Sequence, residues 1–306
     1  MKPDLSILII TYNRPEDTLE LLQNLYNQHD WNSVLLEVLL LNNDSTQSYK
    51  IVEDFLALHP DFPVRYIPHN ENLGVARGRN FLVERAKGQQ LLVLDDDVIF
   101  DSEDALVTIA GLFHKPQFAE NNAAVITLNI HYFDSNERQL TAFPHKKKEK
   151  YADKDWFLTS YFIGAAHLMK RELFDKTGLY PTDFFYGMEE YDLGYRIINA
   201  GYSIGYDAAV KVLHKESPLG RVPGKERQRS FWYNKAKVHW RYLPKMYFYS
   251  ASLLWSLHYL KKTNWDFKGF VATWKDIVKI PGKENRSPIS SQALDYLHQT
   301  EAQLLF

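Results

Sequence analysis

The chain predicts an α/β protein with a mostly parallel central sheet flanked by helices. Three observations predict it. Short apolar runs alternate with helical patterns over the first two-thirds of the sequence. Strands that alternate with crossover helices make a parallel sheet covered on both faces. The clearest apolar runs also end in polar residues: Thr11-Tyr12-Asn13, Asn42-Asn43-Asp44 and Asp95-Asp96-Asp97. In such sheets ligands bind beyond the carboxyl ends of the strands, so these three groups should converge on one edge.

The elements follow in order. Residues 5–10 read as a buried strand. Pro15 suits a first helical position, and Glu16 and Asp17 suit the positive end of the helix dipole. Leu19, Leu22, Leu25 and Tyr26 give that helix an apolar face. Residues 34–41 form a second strand, 48–58 a helix, 64–67 a short strand, and 74–86 a helix ending at Gly88. A strand at 90–94, a helix at 104–113 and a strand at 123–130 come next. The pattern weakens from about 131 to 155, where His145-Lys146-Lys147-Lys148 reads as an exposed loop. It resumes with a strand at 161–169, a short helix at 171–177, a helix at 190–200 and an extended run at 202–212.

The chain has 306 residues, 45% of them hydrophobic, enough for one large domain or one domain with an appendage. Its net charge of −2 gives no sign of nucleic-acid binding. With no cysteine, disulfides, thiolate zinc sites and cysteine nucleophiles are excluded. The first apolar run is too short for a signal peptide, and no stretch reaches the roughly 20 apolar residues that span a bilayer. The expected location is cytoplasmic.

Residues 91–94 run straight into Asp95-Asp96-Asp97. Asp95 and Asp97 have alternate spacing, so their carboxylates can leave the strand on one side. Hard oxygen ligands suit Mg²⁺ or Mn²⁺, which can bridge to phosphate oxygens. The competing reading is a solvated acidic turn. Three adjacent acids repel one another, and a cation relieves that repulsion.

Several segments together resemble the family 2 glycosyltransferases. They are Ser6-Ile7-Leu8-Ile9-Ile10-Thr11-Tyr12-Asn13-Arg14, Asn42-Asn43-Asp44-Ser45-Thr46, the run from Asn70 to Asn80, the Asp95-Asp96-Asp97 triplet, Phe162-Ile163-Gly164-Ala165-Ala166, and the run from Gly187 to Arg196. They stand in the family's order between about residues 5 and 215. The resemblance implies the GT-A nucleotide-diphospho-sugar transferase fold over 1–215. The donor-binding part would be about 1–100 and the acceptor side about 101–215. It also implies transfer with inversion, as in rhamnosyl- or hexosyltransferases of cell-surface glycan synthesis, from a UDP- or dTDP-linked donor. Asp95 and Asp97 would hold the metal on the donor diphosphate, and Asp96 would contact the sugar or ribose.

Inverting transfer needs a carboxylate to take the acceptor's proton. The family motif commonly reads Glu-Asp-x-Asp, where this chain has Glu189-Glu190-Tyr191-Asp192. Glu190 is the expected base, with Asp192 and Glu189 as alternatives; acids here also complement a helix dipole. Arg196 can pair with Asp192 at i,i+4 spacing. Thr11, Tyr12, Asn13 and Arg14 stand at the first strand-to-helix turn, where backbone N–H groups can meet phosphate or base. Asn43 and Asp44 are expected at the base or ribose, although Asp44 could simply cap a turn. Asn72, Gly74, Arg77 and Arg79 form a third wall: glycine permits close approach and arginine can offset diphosphate charge. At least one of those arginines is expected on a solvated helix face. The resemblance makes His214 a third metal ligand.

After His214, Arg221, Lys225, Arg227, Arg229, Lys235, Lys237, Arg241 and Lys245 crowd an aromatic-rich segment. Residues 216–306 are expected to form a helical extension. Residues 246–260, flanked by Lys245, Lys261 and Lys262, suit a lipid headgroup interface. A buried helix or a homodimer contact within 230–280 fits the same pattern. The expected acceptor is a glycan or a lipid-linked glycan, and no nucleic-acid module is present. An aspartate-nucleophile phosphatase would carry its DxD on the first strand, and a sugar nucleotidyltransferase would need a glycine-rich loop after Ile10. A decayed transferase acting as a sugar-nucleotide-binding scaffold is the non-enzymatic alternative.

Overall fold

The computed structural model describes residues 3–184, 186–216 and 224–306. Among them, nine strands form one sheet: β1 (Leu5–Thr11), β2 (Leu35–Asn43), β3 (Val64–His69), β4 (Gln90–Asp95), β5 (Val98–Phe100), β6 (Ala123–Tyr132), β7 (Trp156–Thr159), β8 (Ala166–Lys170) and β9 (Ser203–His214). Their order is β3-β2-β1-β4-β8-β6-β9-β5, with β7 also paired to β9. From β3 to β4 the pairing is parallel, as the crossover helices Pro15–Tyr26, Lys50–Leu58 and Gly74–Val83 require. Beyond β4 the sheet is mixed. β8 lies antiparallel to β4 and β6, β9 runs parallel to β6, and β5 and β7 run antiparallel to β9.

Alternation along β1 divides the interior. Ile7 and Ile9 join Leu22, Leu40, Leu92 and Leu94 on one face, while Leu8 joins Leu39, Leu41, Leu91 and Val93 on the other. Both faces are apolar, so these strands read as unbroken hydrophobic runs. Helix Glu189–Asn199 packs into the second face through Leu193 and Ile197. That core also takes Val238 and Tyr242 from helix Gly224–Tyr242, and Leu297 from helix Ser291–Gln299. The last third is helical, and it is continuous with the core beneath the sheet. Helices Gly224–Tyr242, Lys245–Lys262 and Phe267–Ile277 share a further cluster built on Trp232, Trp240, Phe248, Tyr259 and Ile277.

The element limits depart from the sequence in a few places. The strand expected at 161–169 is confined to Ala166–Lys170, because residues 160–165 cross the sheet edge as a loop tied down by Asp95 N–H donating to Ala165 O at 2.9 Å. β5 and β7, three and four residues long, carry too little periodicity to be read as strands. Arg221 of the basic segment lies outside the described residues. No described helix is long and apolar enough to cross a membrane.

One side chain joins the two halves of the sheet. Asn80 is buried; its Nδ2 donates to Tyr180 O at 2.9 Å and its Oδ1 accepts from Tyr180 N–H at 2.8 Å. Asn80→Ala strands two buried backbone groups. We expect it to lower stability by roughly 2–5 kcal/mol in denaturant unfolding; a loss within experimental error would show that water replaces the amide.

Candidate active site

The parallel register aligns the strand ends. Ile10 lies opposite Asp95, and Thr11 lies opposite Asn42. A cleft of about 810 Å³ opens over this edge. At one end, Asp95 closes β4, and Asp96 and Asp97 turn the chain into β5. β5 pairs with β9 so that Val98 faces His214. This brings His214 Nε2 to 3.3 Å from Asp97 Oδ1. One ligand atom from each of Asp95, Asp97 and His214 falls within 4.8 Å of the others. Two carboxylates and an imidazole are a donor set that suits Mn²⁺ or Mg²⁺. His214 Nδ1 lies 2.9 Å from Gln139 Oε1, a contact that places the ring proton on Nδ1 and leaves Nε2 as the ligating nitrogen. Arg14 donates to Asp96 Oδ1 at 2.7 Å and lies 3.2 Å from Asp97 Oδ2. Burial nevertheless pushes Asp96 up to about 7.

Arg79 occupies the middle of the cleft. It is 3% exposed. Its Nη1 donates to Glu190 Oε1 at 2.8 Å and its Nη2 to Gly164 O at 3.0 Å, with Glu189 and Asp95 oxygens at 3.8 and 3.9 Å. Burial opposes its charge, but Glu190, Tyr180, Glu189 and Asp95 together hold it protonated. Glycine at 164 leaves room for this pair: a Cβ would lie 2.3 Å from Glu190 Oε1 and 2.7 Å from Arg79 Nη2, so both side chains would have to shift.

Helix Glu189–Asn199 begins after two left-handed residues, Gly187 at φ 84° and Met188 at φ 72°. Asn234 Nδ2 donates to both Tyr186 O and Gly187 O, at 3.1 and 2.9 Å, and fixes this turn from the C-terminal third. A Cβ on residue 187 would lie 2.2 Å from the Phe231 ring, so this position also needs glycine. Glu189 is buried, and its Oε2 has no hydrogen-bond partner among the described residues. Burial and then the charge of Glu190 raise its pKa to about 8.

Tyr12, Arg14, Asn43, Asn72, Gly74, Arg79, Asp95, Asp96, Asp97, Glu189, Glu190 and His214 all line this cleft. Five other candidates sit elsewhere. Thr11 Oγ1 turns inward to the hydroxyls of Thr18 and Tyr49, at 2.8 and 2.6 Å. Asn13, at φ 56°, binds the β2 loop through Oδ1, which accepts from Thr46 N–H at 2.8 Å and Gln47 N–H at 3.2 Å. Asp44 is exposed and outside the cleft wall. Asp192 faces away from the cleft, and both its oxygens are engaged, by Arg196 at 2.8 Å and by Arg241 and the Tyr242 hydroxyl at 3.0 Å. Arg77 pairs with Glu71 on the exposed helix face. Gln139, Tyr161, Tyr186, Phe231 and Lys235 also line the cleft and were not singled out from sequence. Gln139 lies in the weakly patterned stretch, and Lys235 is one of many neighbouring basic residues.

A nucleotide-sugar transferase site is the class that this fold and cleft define, and comparison with known proteins specifies it. The family model for glycosyl transferase family 2 matches residues 6–178. An uncharacterized protein of Haemophilus influenzae is 32% identical over 180 residues, covering 58% of this chain and 92% of that one. The uncharacterized glycosyltransferase MJ1057 of Methanocaldococcus jannaschii is 23% identical over 300 residues, 95% of this chain and 97% of its own. Among solved structures, GalNAc-T7 with UDP, GalNAc and Mn²⁺ shares the fold at a TM-score of 0.63 and 17% identity, over 90% of this chain and 57% of that one. The mannosyltransferase PcManGT of Pyrobaculum calidifontis, in complex with GDP-Man and Mn²⁺, does so at 0.59 and 18%, over 100% of this chain and 81% of its own. The chain belongs to glycosyl transferase family 2. It is a nucleotide-sugar glycosyltransferase with the GT-A fold.

Glu189 also sets a pH dependence. With its folded pKa raised to about 8 from the ordinary 4.5, the folded state keeps a proton that the unfolded chain has lost between those values. Its contribution to stability therefore falls as pH rises through this window. Glu189→Gln should raise Tm relative to the parent at pH 8.5 and leave it nearly unchanged at pH 4.5. Equal shifts at both pH values would refute the buried-proton account.

Proposed function

We propose that the protein moves a sugar from a nucleoside-diphosphate donor to an acceptor hydroxyl in one in-line displacement with inversion. The carrying observation is that Asp95, Asp97 and His214 share one cleft with Glu190, with Arg79 between them. Asp95, Asp97 and His214 would hold Mn²⁺ or Mg²⁺, whose charge offsets that of the departing diphosphate. Tyr12, Arg14, Asn43, Asn72, Gly74 and Asp96 would form the nucleotide and sugar wall. The acceptor oxygen bonds to the anomeric carbon, the bond from that carbon to the diphosphate oxygen breaks, and the acceptor's proton passes to Glu190. Glu189 and Glu190 both line the cleft, and Glu190 is preferred as base because its side chain is the more open, 16% exposed against 4%, whereas Asp192 is turned into a network of arginines. Arg79 positions Glu190. The donor is read as a UDP-hexose or dTDP-rhamnose and the acceptor as a cell-surface glycan or its lipid-linked precursor.

Thermal shift with Mn²⁺ and a panel of nucleotide-sugars tests the donor, since a ligand of the native state raises Tm. With the donor known, Glu190→Gln should lower kcat by about 10²–10⁴-fold while donor binding persists. Asp97→Asn should abolish the Mn²⁺-dependent part of donor binding with the fold intact. Near-normal rates in both variants would overturn the base and metal assignments, whereas a parent that binds a donor but turns none over would leave only the scaffold reading.

We also propose that helix Lys245–Lys262 rests on an anionic membrane surface. Met246, Tyr249, Leu253 and Leu257 are exposed at spacings that form one stripe, continued by exposed Trp265 and Phe267. Lys245, Lys261 and Lys262 flank it. Flotation with phosphatidylglycerol vesicles should capture the parent and lose a Leu253→Glu/Leu257→Glu variant. Equal flotation of the two would sink the assignment, and so would a parent dimer that the same changes dissociate without any lipid binding.

A further inference from the structure

Beside the base, the cleft carries charge of the opposite sign. Tyr191, next in the chain after Glu190, stacks on Tyr161 with ring centroids 4.7 Å apart and an interplanar angle of 14°. The Lys235 ammonium stands 4.2 Å from the Tyr191 centroid, and the Lys146 ammonium 5.5 Å from the Tyr161 centroid. Lys146 is exposed, although His145 beside it is buried and a helix begins at Lys148, whereas Lys235 is only 3% exposed. Among the described residues no carboxylate, carbonyl or hydroxyl is bonded to Lys235; the tyrosine ring is its contact. Trp255, from helix Lys245–Lys262, lines the same cleft, and among the described residues its buried Nε1 donor has no hydrogen-bond partner. Arg227, two helical turns before Lys235, lines it as well.

A buried ammonium without a counter-charge opposes folding, and buried donors are normally satisfied. Burial, aided by Lys146, lowers the Lys235 pKa to about 7. Lys146, Lys235 and Trp255 come from three separate parts of the chain and line one cavity, an arrangement that suits an anion. The transferase reading assigns the donor diphosphate to the Asp95–Asp97–His214 end of the cleft, where the cations within 4 Å of the aspartates are Arg14 and Arg79 rather than these lysines. A phosphomonoester carries about −1.5 to −2 charges near neutral pH and three acceptor oxygens, which match two ammonium groups and an indole N–H. Lysine binds phosphate as a point charge and lacks the planar fork that favours a carboxylate.

We propose that Lys146, Lys235 and Trp255 Nε1 bind a phosphoryl group carried by the acceptor, held against the Tyr161–Tyr191 stack. The inference rests on the transferase reading, which supplies the acceptor; the anion site itself does not need it. The phosphoryl group can sit on a soluble sugar phosphate or on a prenyl chain.

Calorimetry on the full chain, without metal, tests the site with glucose, glucose 1-phosphate and farnesyl phosphate as probes. The parent should bind at least one phosphate probe tenfold or more tightly than glucose; the tighter of the two identifies the carrier. Lys235→Met should erase that preference while leaving UDP affinity in Mn²⁺ within twofold. Its Tm at pH 7 should match or exceed the parent's, since it removes an unpaired buried charge. Should it misfold, Lys146→Gln, at an exposed position, must still weaken the phosphate probes several-fold. The proposal is overturned if glucose and both phosphates bind alike, if the preference survives both substitutions, or if UDP affinity falls in step with phosphate affinity. A parent that binds no nucleotide yet keeps its phosphate preference would refute the transfer reading and leave the anion site standing.

Discussion

The buried guanidinium of Arg79 is the interaction on which the active-site arrangement depends. It comes from the helix after β3, yet its partners come from the Gly164 loop, from Glu189 and Glu190 at the start of a distant helix, and from Asp95 at the end of β4. Acidic groups that share one enclosed space need a cation between them, or one of them must keep its proton. A lysine could neutralise one of them, but the planar arginine fork reaches a carboxylate and a carbonyl together. Gly164 is small so that this fork and the Glu190 carboxylate can lie against the backbone.

Around this centre the fold adds parts from different sources. The parallel half of the sheet delivers the strand ends, as in other doubly wound sheets. The mixed half serves another purpose: antiparallel β5–β9 pairing folds the chain back so that His214 meets Asp97. The C-terminal helices then complete the cleft. Asn234 holds the strained turn before Glu189, Arg241 locks Asp192 away from the cleft, and Phe231 and Lys235 form part of the wall.

The site also keeps groups that a purely structural core would eliminate. Glu189 Oε2 and Trp255 Nε1 are buried without hydrogen-bond partners among the described residues, and Lys235 has only an aromatic ring for company. Each opposes folding a little, and all three line one cavity. Orphaned polar atoms also occur away from the cleft, at Gln90, Ser203, His239 and Ser252, but those of Glu189 and Trp255 belong to side chains that a ligand in the cleft would meet.

What the sequence determined by itself is what depends on local chemistry. Apolar runs ending in polar residues predicted the strands and the edge on which Asp95, Asn43 and Arg14 meet, because side-chain alternation and burial are readable within a few residues. Motif resemblance added the family and placed Glu189, Glu190 and Asp192 in one acidic cluster. Only the tertiary structure could separate those three. They lie within four consecutive positions, and helix phase sends Glu190 into the cleft and Asp192 to Arg196 and Arg241. The Arg79–Glu190 pair spans 111 residues, and the meeting of Asp97 with His214 needs a specific strand register. Lys235 looked like one more cation in a basic segment until packing buried it without a partner. Pairing across long separations is set by how the elements pack, and no local pattern records it.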